Sequence, residues 1–205
     1  MTQEANTSHR HSFIVGIAGG SASGKSSFAA ALAQALRQGQ PPLRVEVIGT
    51  DRYFRPPDSG RPTIFSPSQG RDMPDDNHPD AIDHARLAAD IDARSQAGDG
   101  PDVLIVEGLM VLHLPAIRQR LDLRLFVELD ADERALRRLV RNLATGRMGD
   151  AQTIATYYRE SARVGHARYV EPSRVYADLI VRGDADFARV APMVAAVVRG
   201  NHPIP

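Results

Sequence analysis

Gly19-Gly20-Ser21-Ala22-Ser23-Gly24-Lys25-Ser26-Ser27 fits the spacing G-x-x-x-x-G-K-[ST], a pattern whose backbone N–H groups cradle phosphate. Just upstream, Phe13-Ile14-Val15-Gly16-Ile17-Ala18 reads as a short buried strand, and Phe28 to Leu36 downstream as an alanine- and leucine-rich helix. A strand, a glycine loop and a helix in that order aim N–H groups and the positive end of a helix dipole at one point, where an anion belongs. Gly19 and Gly24 permit backbone angles and approaches that a Cβ would block. Gly20, Ser21, Ala22, Ser23 and Ser27 complete the cradle. Lys25 is spaced to reach β- and γ-phosphates, and the Ser26 hydroxyl to ligate Mg²⁺. The bland alternative, a serine-capped glycine turn, does not need the flanking strand and helix.

Composition bounds the rest. The chain has 205 residues, 42% of them hydrophobic, enough for one α/β domain with a substantial core. Its 25 basic and 25 acidic side chains balance, which argues against a general nucleic-acid or membrane-surface binder. With no cysteine there is no disulfide, thiolate nucleophile or Cys-ligated metal. Met1 to Ser12 lacks the apolar run of a signal peptide, and no stretch reaches membrane-spanning length, so a cytoplasmic location is expected. The expected layout is a flexible tail over 1–11, one domain over 12–200 and a short tail over 201–205. His9 and His11 fall in the first tail and suggest no metal site there.

Along the chain, Arg44 to Gly49, Asp102 to Glu107, Leu123 to Leu129 and Tyr176 to Val181 read as further strands. They alternate with helices, which implies a parallel sheet with helices on both faces. Ligands of such sheets bind beyond the carboxyl ends of the strands. Asp51 and Glu107 emerge there beside Lys25, Asp51 as a candidate general base and Glu107 as a group that orients Mg²⁺ water or the attacking hydroxyl. A turn-capping aspartate and an arginine-paired glutamate are the alternatives. Residues 55–79 carry six prolines and little periodicity, and are expected to form a loop over the substrate, or else a disordered insert. Asp80 is the expected N-cap of the helix that follows. Over Ala131 to Ala144, Leu136, Leu139, Val140 and Leu143 have core spacing, and Arg134, Arg137, Arg138 and Arg141 form a stripe opposite, extended by Arg147. With few acids interspersed, the stripe is expected to be a phosphate lid over 134–150 rather than a solvated face. Tyr157, Tyr158 and Tyr169 are expected to pack rather than react. His78, His84, His113 and His166 lack metal-ligand spacing.

With these residues placed, the chain resembles the uridine kinase and phosphoribulokinase group of P-loop kinases from about Phe13 to Gly183. The resemblance is carried by the glycine loop together with Asp51-Arg52-Tyr53-Phe54, Asn77-His78-Pro79-Asp80-Ala81-Ile82-Asp83, Val106-Glu107-Gly108, Tyr169-Val170-Glu171-Pro172 and Tyr176-Ala177-Asp178. It implies a P-loop fold of five parallel strands with a helical lid, ATP as donor, Mg²⁺ as cofactor and a small hydroxyl compound as acceptor. By residue, it implies Asp51 as base, and Lys25, Ser26 and Glu107 as the phosphate and Mg²⁺ set. Arg141 and Arg147 are implied near the phosphates, and Phe54, Asn77, His78 and Arg138 near the acceptor. A homodimer is one assembly to expect.

The sequence also departs from that family. The β-hairpin by which uridine kinases recognise the pyrimidine falls where this chain has only Gly98 to Asp102. Asn77 stands for an aspartate that binds ribose hydroxyls, and Thr156 for a glutamine that positions the nucleoside. The lid sequence is altered to Gly146-Arg147-Met148-Gly149. An amide can still bond a diol, so a uridine-like riboside, another riboside such as nicotinamide riboside, and a sugar phosphate or glycerate all stay open as acceptors. A kinase-derived ATP-binding regulatory module is the reading from another class.

Overall fold

The computed structural model describes residues 11–201. The expected tails therefore lie outside the described residues, apart from His11 and from Asn201, which ends the last helix. A five-stranded parallel sheet in the order β2-β5-β1-β6-β7 forms the frame. Its strands are β1 (Phe13–Gly19), β2 (Val45–Gly49), β5 (Val103–Glu107), β6 (Leu123–Glu128) and β7 (Leu179–Arg182). Helices α1 (Lys25–Gln38) and α7 (Phe187–Asn201) cover one face; α2 (His84–Ser95) and α3 (Pro115–Arg118) cover the other. Side chains alternate between the faces, as strand geometry requires. Val15, Ile17, Ile105, Leu125 and Val127 pack with Phe28, Leu32 and Val198; Ile14, Ala18, Leu104, Val106 and Phe126 pack with Leu87, Ile91 and Ile117. Because both faces are covered, these strands read as nearly continuous apolar runs.

The chain places β2 and β5 on one side of β1 and then crosses to place β6 and β7 on the other. The strand order thus reverses beside β1 and opens a crevice at its carboxyl end. Register places Glu107 beside both Ile17 and Gly49, so the ends of β1, β2 and β5 meet there.

Three local features differ from expectation. The stretch 55–79 is not featureless, since β3 (Thr63–Ser66) and β4 (Arg71–Pro74) form an antiparallel hairpin. Their exposed, polar residues give no alternation for a strand reading to find. Asp80 does not cap α2. His78 Nδ1 accepts from the Asp80 N–H to cap a 3-10 turn, Ile82 is extended, and Asp83 then caps α2 by accepting from Arg86 N–H at 3.1 Å. Beyond α5 (Ala151–Tyr157), the helical path runs through a π-turn over Tyr158–Ala162, the single turn α6 (Arg163–Gly165) and a second π-turn over His166–Val170.

The fourth difference is the largest. Helix α4 (Ala131–Ala144) is inverted relative to its apolar pattern. Leu136, Val140 and Leu143 are 59%, 67% and 47% exposed, whereas Arg134 and Arg138 are only 7% and 9% exposed and Asn142 is buried. Leu136, Val140 and Leu143 thus face outward while Leu139 is half-buried, and Arg134 and Arg138 face inward with Arg137 half-buried and Arg141 exposed. Accordingly, Leu136→Gln and Val140→Gln are each expected to change unfolding stability by no more than about 0.5 kcal/mol in urea titrations. Phe28→Ala should cost ~3–5 kcal/mol. A loss of core magnitude at Leu136 or Val140 would contradict the observed orientation.

Candidate active site

The glycine loop leaves β1 and enters α1 with Gly19 at φ 151°, Ala22 at φ 64° and Gly24 at φ 96°. A Cβ on Gly19 would lie 2.5 Å from the Val127 carbonyl, so this position excludes side chains by both angle and space. No side chain caps α1, whose first N–H groups are left to the loop's concavity. The Ser23 hydroxyl is buried and unpartnered inside the loop.

Around this loop the site assembles from the ends of β1, β2 and β5 and from the lid. Ser26 Oγ donates to Glu107 Oε1 at 3.1 Å, and Glu107 Oε2 is buried with no partner. Asp51 lies on the 3-10 turn Thr50–Tyr53 directly after β2. Behind it, burial and then the Asp90 carboxylate push the Tyr53 hydroxyl up to about 12, so Tyr53 serves as a fixed donor to Asp90 at 2.8 Å. Gly108 has no room for a side chain, since its Cβ would meet Thr50 Oγ1 at 1.8 Å; this lets the Asp51 and Glu107 segments approach.

Two cavities flank the loop. One, of about 410 Å³, is lined by Ala22, Gly24, Lys25, Ser26, Ser27, Arg137 and Arg141. The other, of about 420 Å³, holds Lys25, Ser26 and Arg141 again, together with Ser21, Asp51, Phe54, Asn77, Arg138 and Arg147. Lys25, Ser26 and Arg141 therefore stand at the junction, and Asp51 on one side only. A cavity of about 610 Å³ between Arg44, Asp90 and Arg94 lies at the opposite, amino end of β2.

The lid arginines divide by role. Arg134 Nε donates to the Leu129 carbonyl at 2.9 Å, and its guanidinium covers Gly20 closely enough to exclude a Cβ there. Arg137 pairs with Glu133 and donates to the Gly183 carbonyl at 3.0 Å; Gly183 in turn backs Ser23. These two buttress the loop. Arg138 lies over the Tyr157 ring at 5.3 Å with its Nε unpartnered, and burial lowers its pKa from the ordinary value. A desolvated guanidinium without a carboxylate favours an incoming anion.

Most of the residues expected from sequence are thus brought together. His78 is not: it caps a turn and packs against Tyr169 at 5.2 Å, outside the cavity. Nor does Thr156 line it. Tyr157 does, although a packing role is what its spacing suggests, and its hydroxyl accepts from Asn77 Nδ2 at 3.2 Å. Arg71, Asp72, Met73, Asp76 and Asn142 also line the cavity without having been foreseen. They sit on the unrecognised hairpin and on the inward face of the inverted helix, so the signal lay in the arginine stripe rather than in the leucines. Between α2 and β5 no strand intervenes, in accord with the missing pyrimidine-reading hairpin.

A phosphate loop at the switch point of a parallel sheet, an inward arginine lid and a carboxylate beside the loop together define a P-loop kinase fold. The phosphoribulokinase / uridine kinase family matches residues 65–186, and the chain belongs to that family. It is 35% identical over 191 residues to a uridine kinase of Chloroflexus aggregans, covering 83% of this chain and 86% of that one. With a Clostridium botulinum uridine kinase it shares 30% over 207 residues, covering 90% and 95%. Among solved structures, a Silicibacter protein provisionally named a fructose transport system kinase aligns with TM-score 0.63 at 22% identity, covering 88% and 93%. A shikimate kinase from Acinetobacter baumannii aligns at 0.54 and 11%, covering 95% and 97%. These two likenesses concern the fold. No helix among the described residues is long and apolar enough to cross a membrane, and no cluster of three or more His, Asp or Glu residues suited to a metal occurs among them. A hydroxyl and a carboxylate with one orphaned oxygen nevertheless suit Mg²⁺, which takes few protein ligands and completes its shell with phosphate and water.

Behind the loop, His166 contacts Glu171 at 3.2 Å with its Nδ1 buried and unpartnered. Burial, then Arg134, hold its pKa below the ordinary 6.5 against the opposing pull of Glu171. The folded chain therefore takes up this proton less readily than the unfolded chain. The contribution is present above pH 6.5 and declines as pH falls below it. Urea midpoints measured from about pH 8 down to about pH 5 should drop more steeply in wild type than in His166→Gln. Equal slopes would remove His166 from this role.

Proposed function

We propose that this chain is an ATP- and Mg²⁺-dependent phosphotransferase that moves the γ-phosphoryl group of ATP to a hydroxyl of a small metabolite. The observation that carries this reading is the pair of cavities meeting at Lys25, Ser26 and Arg141, with Asp51 confined to one. A donor on one side and an acceptor on the other would face each other across the γ-phosphate. Asp51 accepts the acceptor's hydroxyl proton as its oxygen bonds to the γ-phosphorus, and the bond from that phosphorus to the β,γ-bridging oxygen breaks to release ADP. Lys25, Arg141 and Arg147 hold the phosphoryl oxygens, so positioning and charge neutralisation supply most of the catalysis. Mg²⁺, held by Ser26 and Glu107, would neutralise charge on the β- and γ-phosphates.

For the acceptor, uridine kinase relatives support a nucleoside-like compound. A second reading has its own support. Asn77 is buried, and its Nδ2 donates to both Tyr157 Oη and Ser161 Oγ, the latter at 2.8 Å. Both amide protons are used, leaving one oxygen to meet a diol. Arg138 meanwhile has no carboxylate partner among the described residues. An acceptor with an acid group, such as a sugar phosphate or glycerate, would supply that partner.

The test incubates protein and Mg·ATP with a pool of defined nucleosides, sugars, sugar phosphates and hydroxy acids, and reads new phosphorylated species by mass spectrometry. Asp51→Asn should lower transfer by at least about 10²-fold with ATP affinity changed by less than about twofold. Retained turnover would take the base role from Asp51. ATP binding with no product from the whole pool would favour a regulatory ATP-binding module instead.

A further inference from the structure

The wall of the acceptor cavity opposite the phosphate loop is the β3–β4 hairpin, which pairs with no other strand. A two-stranded ribbon is marginal in water, so its position depends on what it docks against. The hydrogen bonds that hold it to the rest of the described fold go to one short piece of chain, Tyr157 to Ala162, and its one buried apolar side chain packs there too, beside Met148. Met73 packs with Tyr157 and Ala162. Ser66, fully buried, donates its hydroxyl to Glu160 Oε2, and the Ser68 N–H donates to Glu160 Oε1 at 3.3 Å. At the foot of the hairpin, Asp75 Oδ1 accepts from Ser161 Oγ at 2.9 Å and from Asn77 N–H at 3.1 Å. Glu160 thus holds the turn end and Ser161 the base.

Clasped in this way, β4 presents four consecutive residues, Arg71 to Pro74, to the cavity containing Asp51. Two carry charge. Arg71 donates only to the Gln69 side chain, at 3.1 Å, and no ion pair among the described residues engages Arg71 or Asp72. By contrast, nearby Asp76 is paired with Arg61. A guanidinium seeks an anion or hydrogen-bond acceptors and a carboxylate seeks donors. An apolar ligand pressed against both would leave them desolvated and unpaired, at a cost.

We propose that the β3–β4 hairpin selects the acceptor. Arg71 and Asp72 bind the part of the acceptor not held at Asp51, and Glu160 is a positioning residue that acts through Ser66 and Ser68 to keep them in place. The acceptor is accordingly polar at both ends and offers both hydrogen-bond acceptors and donors to the hairpin. This rests on the phosphotransferase reading above.

The experiment takes the full chain, Mg·ATP and whichever pool compound the wild type phosphorylates fastest. Arg71→Ala and Asp72→Ala are each expected to raise KM for that compound by at least about tenfold, with KM for ATP changed by less than about twofold. Glu160→Ala should raise the same KM and speed amide hydrogen exchange over 63–74. Glu160→Gln, whose amide oxygen still accepts from Ser66, should restore most of both. Unchanged acceptor KM in the two β4 variants overturns the hairpin proposal while phosphotransfer stands. A raised acceptor KM in Glu160→Ala without faster exchange over 63–74 overturns the positioning role of Glu160. A wild type that binds ATP and phosphorylates nothing in the pool overturns both readings.

Discussion

Burying a guanidinium without a carboxylate is among the more costly things a fold can do, and this chain does it at Arg138, beneath a helix whose leucines face solvent. The effective penalty for a desolvated ion is several kcal/mol unless opposite charge and hydrogen bonds replace the lost water. Among the described residues, Tyr157 gives a π-face and Met148 a distant sulfur at 4.0 Å, neither of which is a counter-ion. An oxyanion in the adjoining cavity would be. The geometry of the phosphate loop, where N–H groups converge on the same space, demands the same ligand from the opposite side. Helix α4 and the glycine loop thus wall the same cavity, and under the proposed phosphotransfer both would face one anion, which gives the orientation of α4 a physical reason that the core does not.

The halves stay in register because the frame behind them is rigid. Arg134 covers Gly20, and Arg137 reaches the Gly183 carbonyl, whose residue in turn presses on Ser23; α4 is therefore tied to the loop through contacts where a single added methyl group would clash. On the far side, β5 ends beside both β1 and β2, so Glu107, Ser26 and Asp51 come from three elements yet share one strand edge. Such convergence is what open parallel sheets provide at a reversal of strand order.

This explains which features were legible in the sequence. The five strands and the phosphate loop could be read because their residues answer to local rules: both-face burial makes apolar runs, and glycines stand where a Cβ is excluded. The direction of α4 could not, because periodicity locates a stripe without saying which stripe faces inward, and the usual assignment assumes that apolar groups are what a protein buries. Here the buried face carries Arg134, Arg138 and Asn142, and Arg138 finds no carboxylate among the described residues. The hairpin escaped for a related reason: Arg71-Asp72-Met73-Pro74 has one buried residue in four and no alternation, and its position comes from Glu160, ninety-four residues beyond Ser66. Tyr157 was placed in packing because its spacing does not distinguish a ring in a core from one at a cavity wall.

Asn77 shows how these distant parts are joined. Its backbone lies against Gly165, where a Cβ would approach the Asn77 carbonyl oxygen to 2.6 Å, so the helical path after α5 sits directly on it. Its amide protons go to Tyr157 and Ser161, and Ser161 passes its own proton to Asp75 at the hairpin's foot. Buried hydrogen-bond networks of this kind rigidify what they join. An ionised aspartate at this position would have no proton to give Tyr157 or Ser161 and would have to draw protons from them or from a ligand. The asparagine supplies both protons itself, which makes the position a joint between hairpin and helix.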